Sequence, residues 1–328
     1  MKQSAAVRPD PTYFRKAAIA HGAALDHRGA IAIAPIPGFR LDQTIFKTLA
    51  SPIARYVARK RVGKEVYWRR ADAEQVQRAY EAAREAHPLP EIAPELLRFL
   101  VEECDFDVEH ADGSFLDHLY FCFEYAVHHG PEGSPLVMFL HSVLGTGTNT
   151  FAMTADKIPA FRALVPENVY RHVEAFPSVL RLLYTDLLAH LEAKQHCPDD
   201  LKEVRMHRVI DDATIVLEGA ELWKALNFQL MHLVDFLPPA NWAAHQSDHN
   251  FILFRRLHRL LSDAGKLEAD VDYTPAPTGQ RRAGEVLSPG TFLVSHIPVR
   301  ASWVMTCRAI AQFSADCGHS LDFALTWR

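Results

Sequence analysis

Residues 115–151 read FLDHLYFCFEYAVHHGPEGSPLVMFLHSVLGTGTNTF, and they carry the clearest structural signals of the chain. Two apolar runs with helical spacing flank the breaker GPEGSP at residues 130–135, which predicts a pair of short helices. Ser134 is placed to cap the second helix, and Pro135 suits its first turn because a proline there loses no hydrogen bond. With so short a connection the two helices are expected to run antiparallel and to face one pocket.

Each predicted helix carries a histidine on an otherwise apolar face. His118 lies in the first helix, and His141 lies in the last turn of the second. The partial negative charge at the helix end favours a cation beside His141, either a metal ion or a protonated imidazole. A single histidine on such a face is most simply a core residue with a local partner. Two histidines in one pocket favour a functional site.

A third metal ligand has to come from another part of the chain, and Asp235 is the best candidate. It lies near the end of the amphipathic helix predicted at residues 218–236, with His232 one turn earlier on the same face. Imidazole and carboxylate ligands suit iron, zinc, manganese or nickel. The predicted metal ligands are therefore His118, His141 and Asp235, although Asp235 can also be read as the partner of an arginine in the next helix.

The predicted catalytic residues are His141, Ser142 and Thr146. Without a metal, His141 would act as a general base near neutral pH. The backbone amides of residues 145–148 and the hydroxyls of Thr146 and Thr148 would then orient a polar or anionic substrate. A glycine-rich turn after a helix is also explained as a simple C-terminal cap.

Helical periodicity dominates the rest of the chain, and the predicted fold is therefore mainly α. Helices are predicted at residues 12–27, 42–61, 71–86, 94–107, 157–164, 168–175, 178–194, 239–247 and 250–264. Extended structure is predicted only weakly, at residues 29–37 and 205–216. Breakers divide the chain into an N-terminal helical extension (1–88), a helical core (89–265), and a linker with a C-terminal helical appendage (266–328).

Composition limits the classes of function. The chain has 328 residues, of which 48% are hydrophobic and 23% charged, and this is typical of a globular protein with a sizeable core. Its net charge of −5 argues against a dedicated nucleic-acid binder. Neither a membrane-spanning run nor a signal peptide is recognisable, and the odd number of scattered cysteines predicts no disulfide framework. We expect a cytoplasmic protein whose partner is a small molecule, not nucleic acid or a membrane.

Three segments carry a resemblance to a known family: SFLDHL at residues 114–119, MFLHSVLGT at 138–146 and LVDFLPPAN at 233–241. They resemble an uncharacterised family of the HD-like helical superfamily, whose pattern runs Leu-Asp-His-Leu, Leu-Phe-His-Ser-x-Tyr-Gly-Thr and a later Leu-x-x-Ala-Asn. The superfamily includes metal-dependent phosphohydrolases and the inositol-oxygenase group. The resemblance covers residues 96–246 and implies an HD-like helical core with metal-dependent activity.

Ser142 is the most important departure from that superfamily. Its metal-active members carry a His-Asp doublet whose aspartate bridges two metal ions, whereas this chain has His141-Ser142. A serine hydroxyl replaces a bridging carboxylate poorly, which puts a two-metal site in doubt. Leu144 also stands where the family pattern has tyrosine. The protein would then hold one metal, use its histidines without a metal, or retain a pocket without catalysis.

The expected function is that of a metal-dependent enzyme acting on a small polar metabolite. Two histidines and one carboxylate form the ligand set of mononuclear non-haem Fe(II) oxygenases, whereas zinc or manganese in the same set would activate water for hydrolysis. A ferritin-like di-iron site is suggested by Glu124 and His128, which are four residues apart. That site needs Glu-x-x-His twice, so the spacing is wrong and no second copy appears. A helical scaffold or binding protein with structural histidines remains the alternative outside enzymes.

Overall fold

A computed structural model describes residues 88–104, 109–110, 113–147, 151–236, 247–271 and 296–328, together with the single helical positions 52, 78, 82 and 85. Apart from those single positions, the helices predicted at residues 12–27, 42–61 and 71–86 lie outside the described residues. The extended segment predicted at 29–37, the end of the third motif at 237–241, most of the helix predicted at 239–247 and most of the linker lie outside them as well.

Helices make up most of the described chain, which confirms the prediction of a mainly α fold. In chain order they are α1 Pro94–Glu102, α2 Phe115–His129, α3 Ser134–Leu140, α4 Ile158–Ala163, α5 Glu167–Leu182, α6 Leu187–Ala193, α7 Gly219–Phe236, α8 His249–Asp263 and α9 Val299–Asp316. Short 3₁₀ turns span Ala155–Lys157 and Pro198–Asp200. The strands are β1 Glu109–His110, β2 Gly113–Ser114, β3 Leu201–His207, β4 Thr214–Glu218 and β5 Ala324–Trp327.

The predicted helical pair is present as α2 and α3, which pack against each other. Gly130 ends α2 in a space too tight for a side chain, since a Cβ there would lie 2.6 Å from the carbonyl oxygen of Ala126. The prediction that Ser134 caps α3 is wrong. Its hydroxyl instead donates to the carbonyl of Pro131 at 2.5 Å, and Gly133 occupies the cap position with a φ of +79°. His141 follows directly after the last residue of α3.

Helix α7 is the central element of the core. It packs against α2, α5, α8 and β3, because apolar residues cover most of its circumference. Its first residue, Gly219, lies so close to β3 that a Cβ would be 2.0 Å from the carbonyl oxygen of Leu201. A glycine at this position therefore sets how closely the start of α7 approaches the sheet.

The chain around Pro177 differs from the prediction of two helices at residues 168–175 and 178–194. Helix α5 runs through Pro177, and the break comes at residues 183–186, before α6. A proline inside a helix removes one backbone hydrogen bond. Residues on both sides of Pro177 are buried, and their packing holds the helix together despite that loss.

Strands β3, β4 and β5 form an antiparallel sheet in the order β4-β3-β5. The weakly predicted extended segment is thus a hairpin, whose second strand alternates buried Ile215 and Leu217 with exposed neighbours. Strand β5 pairs with β3 across a long sequence separation, and Ile310 and Phe313 of α9 join the hydrophobic core. The predicted domain boundaries stay a prediction, but residues 296–328 pack on the core.

None of the helices in the part of the chain that the structure describes combines the length and the apolar character that crossing a bilayer needs.

Candidate metal centre

Three buried histidines from three elements meet in the core: His118 of α2, His141 after α3 and His232 of α7. Their exposed fractions are 6%, 0% and 6%. The ring centroids lie 4.9 Å (His118 to His141), 5.1 Å (His118 to His232) and 4.7 Å (His141 to His232) apart. One nitrogen from each ring can be chosen so that all lie within 4.8 Å of one another. A cluster of this kind can hold a metal ion.

The orientation of the His118 ring follows from its contact with Asp235. Nδ1 of His118 lies 2.7 Å from Oδ2 of Asp235, and both side chains are only 4% exposed. A carboxylate accepts hydrogen bonds, so Nδ1 of His118 is the donor. Nε2, on the other side of the ring, faces His141 at an Nε2–Nε2 distance of 3.0 Å.

The orientation of the His141 ring is set by the backbone. Its Nδ1 lies 2.6 Å from the carbonyl oxygen of Met138, and a carbonyl can only accept, so Nδ1 carries the hydrogen. In a neutral imidazole the remaining nitrogen is then an acceptor. His118 and His141 therefore direct two Nε2 lone pairs at each other, and a proton or a metal cation between them removes the repulsion.

Two phenylalanine rings enclose the cluster. The centroid of Phe176 in α5 lies 4.7 Å from that of His141 and 5.3 Å from that of His232. Phe236, at the end of α7, lies 5.1 Å from His118 and 5.0 Å from His232. These apolar walls lower the local polarity and strengthen electrostatic interactions inside the site.

The other predicted catalytic residues lie in the turn after α3. Ser142 is buried, and its carbonyl accepts a hydrogen bond from the backbone N–H of Gly145 at 3.3 Å. The carbonyl of Thr146 accepts from Nε and Nη2 of Arg181 at 3.1 and 2.9 Å, which ties the turn to α5. Thr148 lies outside the described residues.

The structure thus brings His118, His141 and Asp235 together, as predicted. It places Asp235 against the side of the His118 ring that faces away from His141. It also adds His232, which lies on the same helical face as Asp235 but is not among the ligands that the sequence predicts. The sequence does contain a signal for His232: it is three residues before Asp235, so an imidazole and a carboxylate lie next to each other on one helix.

Comparison of the chain with models of protein families, with curated proteins and with solved structures found no match in any of the three.

Proposed function

We propose that His118, His141 and His232 bind one divalent metal ion and that the protein is a metal-dependent enzyme acting on a small polar metabolite. The observation that carries the proposal is the 3.0 Å approach of two Nε2 atoms whose partner Nδ1 atoms both donate to oxygen. Two imidazole nitrogens whose lone pairs point at each other at this distance in a buried site can both bind one metal ion.

The dimensions of the cluster support a metal ion of ordinary size. A tetrahedral zinc ion with Zn–N bonds of about 2.05 Å holds its ligand nitrogens about 3.3 Å apart. The pair His118–His141 would need to open by only a few tenths of an ångström from 3.0 Å. One nitrogen of His232 lies within 4.8 Å of one nitrogen of each of the other two rings, so a side-chain movement of roughly 1.5 Å would complete the ligand set.

The ligand set favours hydrolysis as the reaction class. Three histidines that leave an open position are the ligands of water-activating zinc sites, and a divalent ion held this way supplies Lewis-acid activation of water. Phe176 and Phe236 would limit the access of bulk water to the reacting group. Thr146 lies in the turn that follows His141, and in this proposal its hydroxyl would orient a polar substrate.

A mononuclear Fe(II) oxygenase is the second candidate, because Asp235 contacts the cluster. That class uses two histidines and one carboxylate. Asp235 would have to leave Nδ1 of His118 and bind the metal directly, while His232 stayed outside the ligand set. The order of His118, His141 and Asp235 along a helical core also supports an HD-like fold, which remains part of this proposal.

Elemental analysis of the purified full chain tests the metal centre. The wild type and Ser142→Ala should each carry about one zinc, manganese or iron ion per chain, whereas His118→Ala, His141→Ala and His232→Ala should carry almost none. His196→Ala, at an exposed histidine, is the matched control and should retain the metal. If the protein is metal-free and takes up none of these ions on titration, the proposed metal centre is wrong. The alternative is then a helical scaffold or binding protein with structural histidines.

Reaction class can be tested on the same preparations. A panel of phosphate and carboxylate esters should be hydrolysed by the metal-loaded wild type and not by His232→Ala. Oxygen consumption that requires iron, that is lost in Asp235→Ala and that persists in His232→Ala would instead favour the oxygenase.

A further inference from the structure

We infer that Asp235 is a positioning residue, which acts on the metal centre through His118 and is not itself a metal ligand; this inference rests on the proposed metal centre. The contact that carries it joins Oδ2 of Asp235 to Nδ1 of His118 at 2.7 Å. Nε2 of the same ring faces His141. The two nitrogens of an imidazole point to different sides, so the nitrogen that faces Asp235 is not the one that would bind the metal.

The contact has two chemical consequences for His118. A short hydrogen bond to a buried carboxylate fixes the tautomer with hydrogen on Nδ1, which leaves Nε2 as the ligand atom. The negative charge also makes the imidazole a better electron donor to a metal. Both side chains are only 4% exposed, so water competes little for this hydrogen bond.

The position of Asp235 on α7 connects two of the three proposed ligands. His232 and Asp235 are three residues apart on this helix, and they lie on the same side of it. One helix therefore supplies a ligand, His232, and also the group that orients His118 of α2. A shift of α7 would move both together.

His141 offers a natural comparison, because its Nδ1 has the same kind of oxygen partner. There the partner is the carbonyl of Met138, three residues earlier in the chain. A backbone carbonyl carries no net charge and is not removed by side-chain substitution. Asp235 is therefore the orienting group whose charge can be tested by mutation.

The test uses Co(II), whose visible absorption reports the number and type of its ligands. Asp235→Asn keeps a carbonyl-type oxygen that can accept from Nδ1, but it loses the charge. We expect wild type and Asp235→Asn to bind one Co(II) with the same absorption bands, and the variant to bind about 10- to 100-fold more weakly in competition with a chelator. Asp235→Ala should bind at least as weakly. Glu174→Gln, which removes a half-buried carboxylate paired with Arg208 at 2.8 Å, is the control and should bind Co(II) as the wild type does.

The possible outcomes separate this inference from the proposed function. Loss of Co(II) bands or a changed band pattern in a folded Asp235→Asn would make Asp235 a direct ligand. Affinity equal to that of the wild type would make the contact merely structural. Either result would contradict the positioning role of Asp235 but would be compatible with the metal centre. A wild type that binds no Co(II) would contradict the positioning role and the metal centre. Near-ultraviolet circular dichroism checks that each variant is folded.

Discussion

His172 should make the protein less stable as the pH falls from neutral towards 4. This residue lies in α5, one turn before Phe176, and is 8% exposed. Its ring meets that of Phe228 edge-on at 5.1 Å, and the buried Nδ1 has no hydrogen-bond partner among the described residues. Burial, and then the positive charges of Lys224 and Arg171, lower the pKa of His172 from 6.5 to about 4.

The direction of this pH effect depends on whether the folded or the unfolded state binds more protons. In the unfolded chain His172 regains a pKa near 6.5, so between pH 6.5 and 4 the unfolded state binds more protons than the folded state. The contribution of His172 to the free energy of unfolding is therefore highest above pH 6.5 and declines as the pH falls. The lowered pKa corresponds to about 3 kcal/mol over the whole interval, of which about 2 kcal/mol is lost by pH 5.

Urea unfolding at pH 7.5 and at pH 5 measures this effect. The wild type should lose about 2 kcal/mol more between these two pH values than His172→Phe, which keeps an aromatic ring against Phe228 but cannot be protonated. His196→Phe, at an exposed position, should behave as the wild type does. Equal pH dependence in the wild type and His172→Phe would refute the assignment of the lowered pKa to His172.

Three further predictions concern stability. Arg181→Met removes buried hydrogen bonds to Thr146 and Ser314 and should lower the free energy of unfolding by at least about 2 kcal/mol in urea titrations. Gly219→Ala forces a Cβ to within 2.0 Å of the carbonyl oxygen of Leu201, and differential scanning calorimetry should show a melting temperature many degrees lower. Deletion of residues 324–328 removes β5 from the sheet and should also lower the melting temperature, because β3 then becomes an edge strand.

The two substitutions each have a matched control. Arg162→Met breaks an exposed ion pair with Glu167 and should change the free energy of unfolding much less than Arg181→Met does. Gly265→Ala, at a φ of +64° with open space around it, should cost about 1–2 kcal/mol. If a variant and its control lose the same stability, the contacts described for Arg181 or Gly219 do not explain the loss. A deletion of residues 324–328 that leaves the melting temperature unchanged would show that β5 contributes little to the core.

The helical hairpin could be predicted because its signals are local. The apolar spacing and the breaker at residues 130–135 act within a few turns of chain. They place His118 in the first helix and His141 at the end of the second, whatever the rest of the fold does. The sequence also predicts Asp235 at the site. Which atom of His118 it would contact depends on how α7 crosses α2, and that is a property of tertiary packing.

The features that could not be predicted depend on distant contacts. Strand β5 is four residues long and pairs with β3, so its partner lies more than a hundred residues earlier in the chain and no local pattern marks it. At Pro177 a local breaker signal is outweighed by burial on both sides. His232 and Asp235 were equally placed on one helical face, and only the direction of the His118 ring separates their roles.

Anomalous diffraction from crystals of the zinc-loaded protein would test the metal centre most directly. The anomalous difference map, measured above and below the zinc edge, should show one peak about 2.0–2.1 Å from a nitrogen of each of His118, His141 and His232. Asp235 should remain hydrogen-bonded to Nδ1 of His118 without touching the ion. A peak bonded to a carboxylate oxygen of Asp235 in place of His232, or no peak among these histidines in crystals soaked with zinc, would contradict the proposed three-histidine centre.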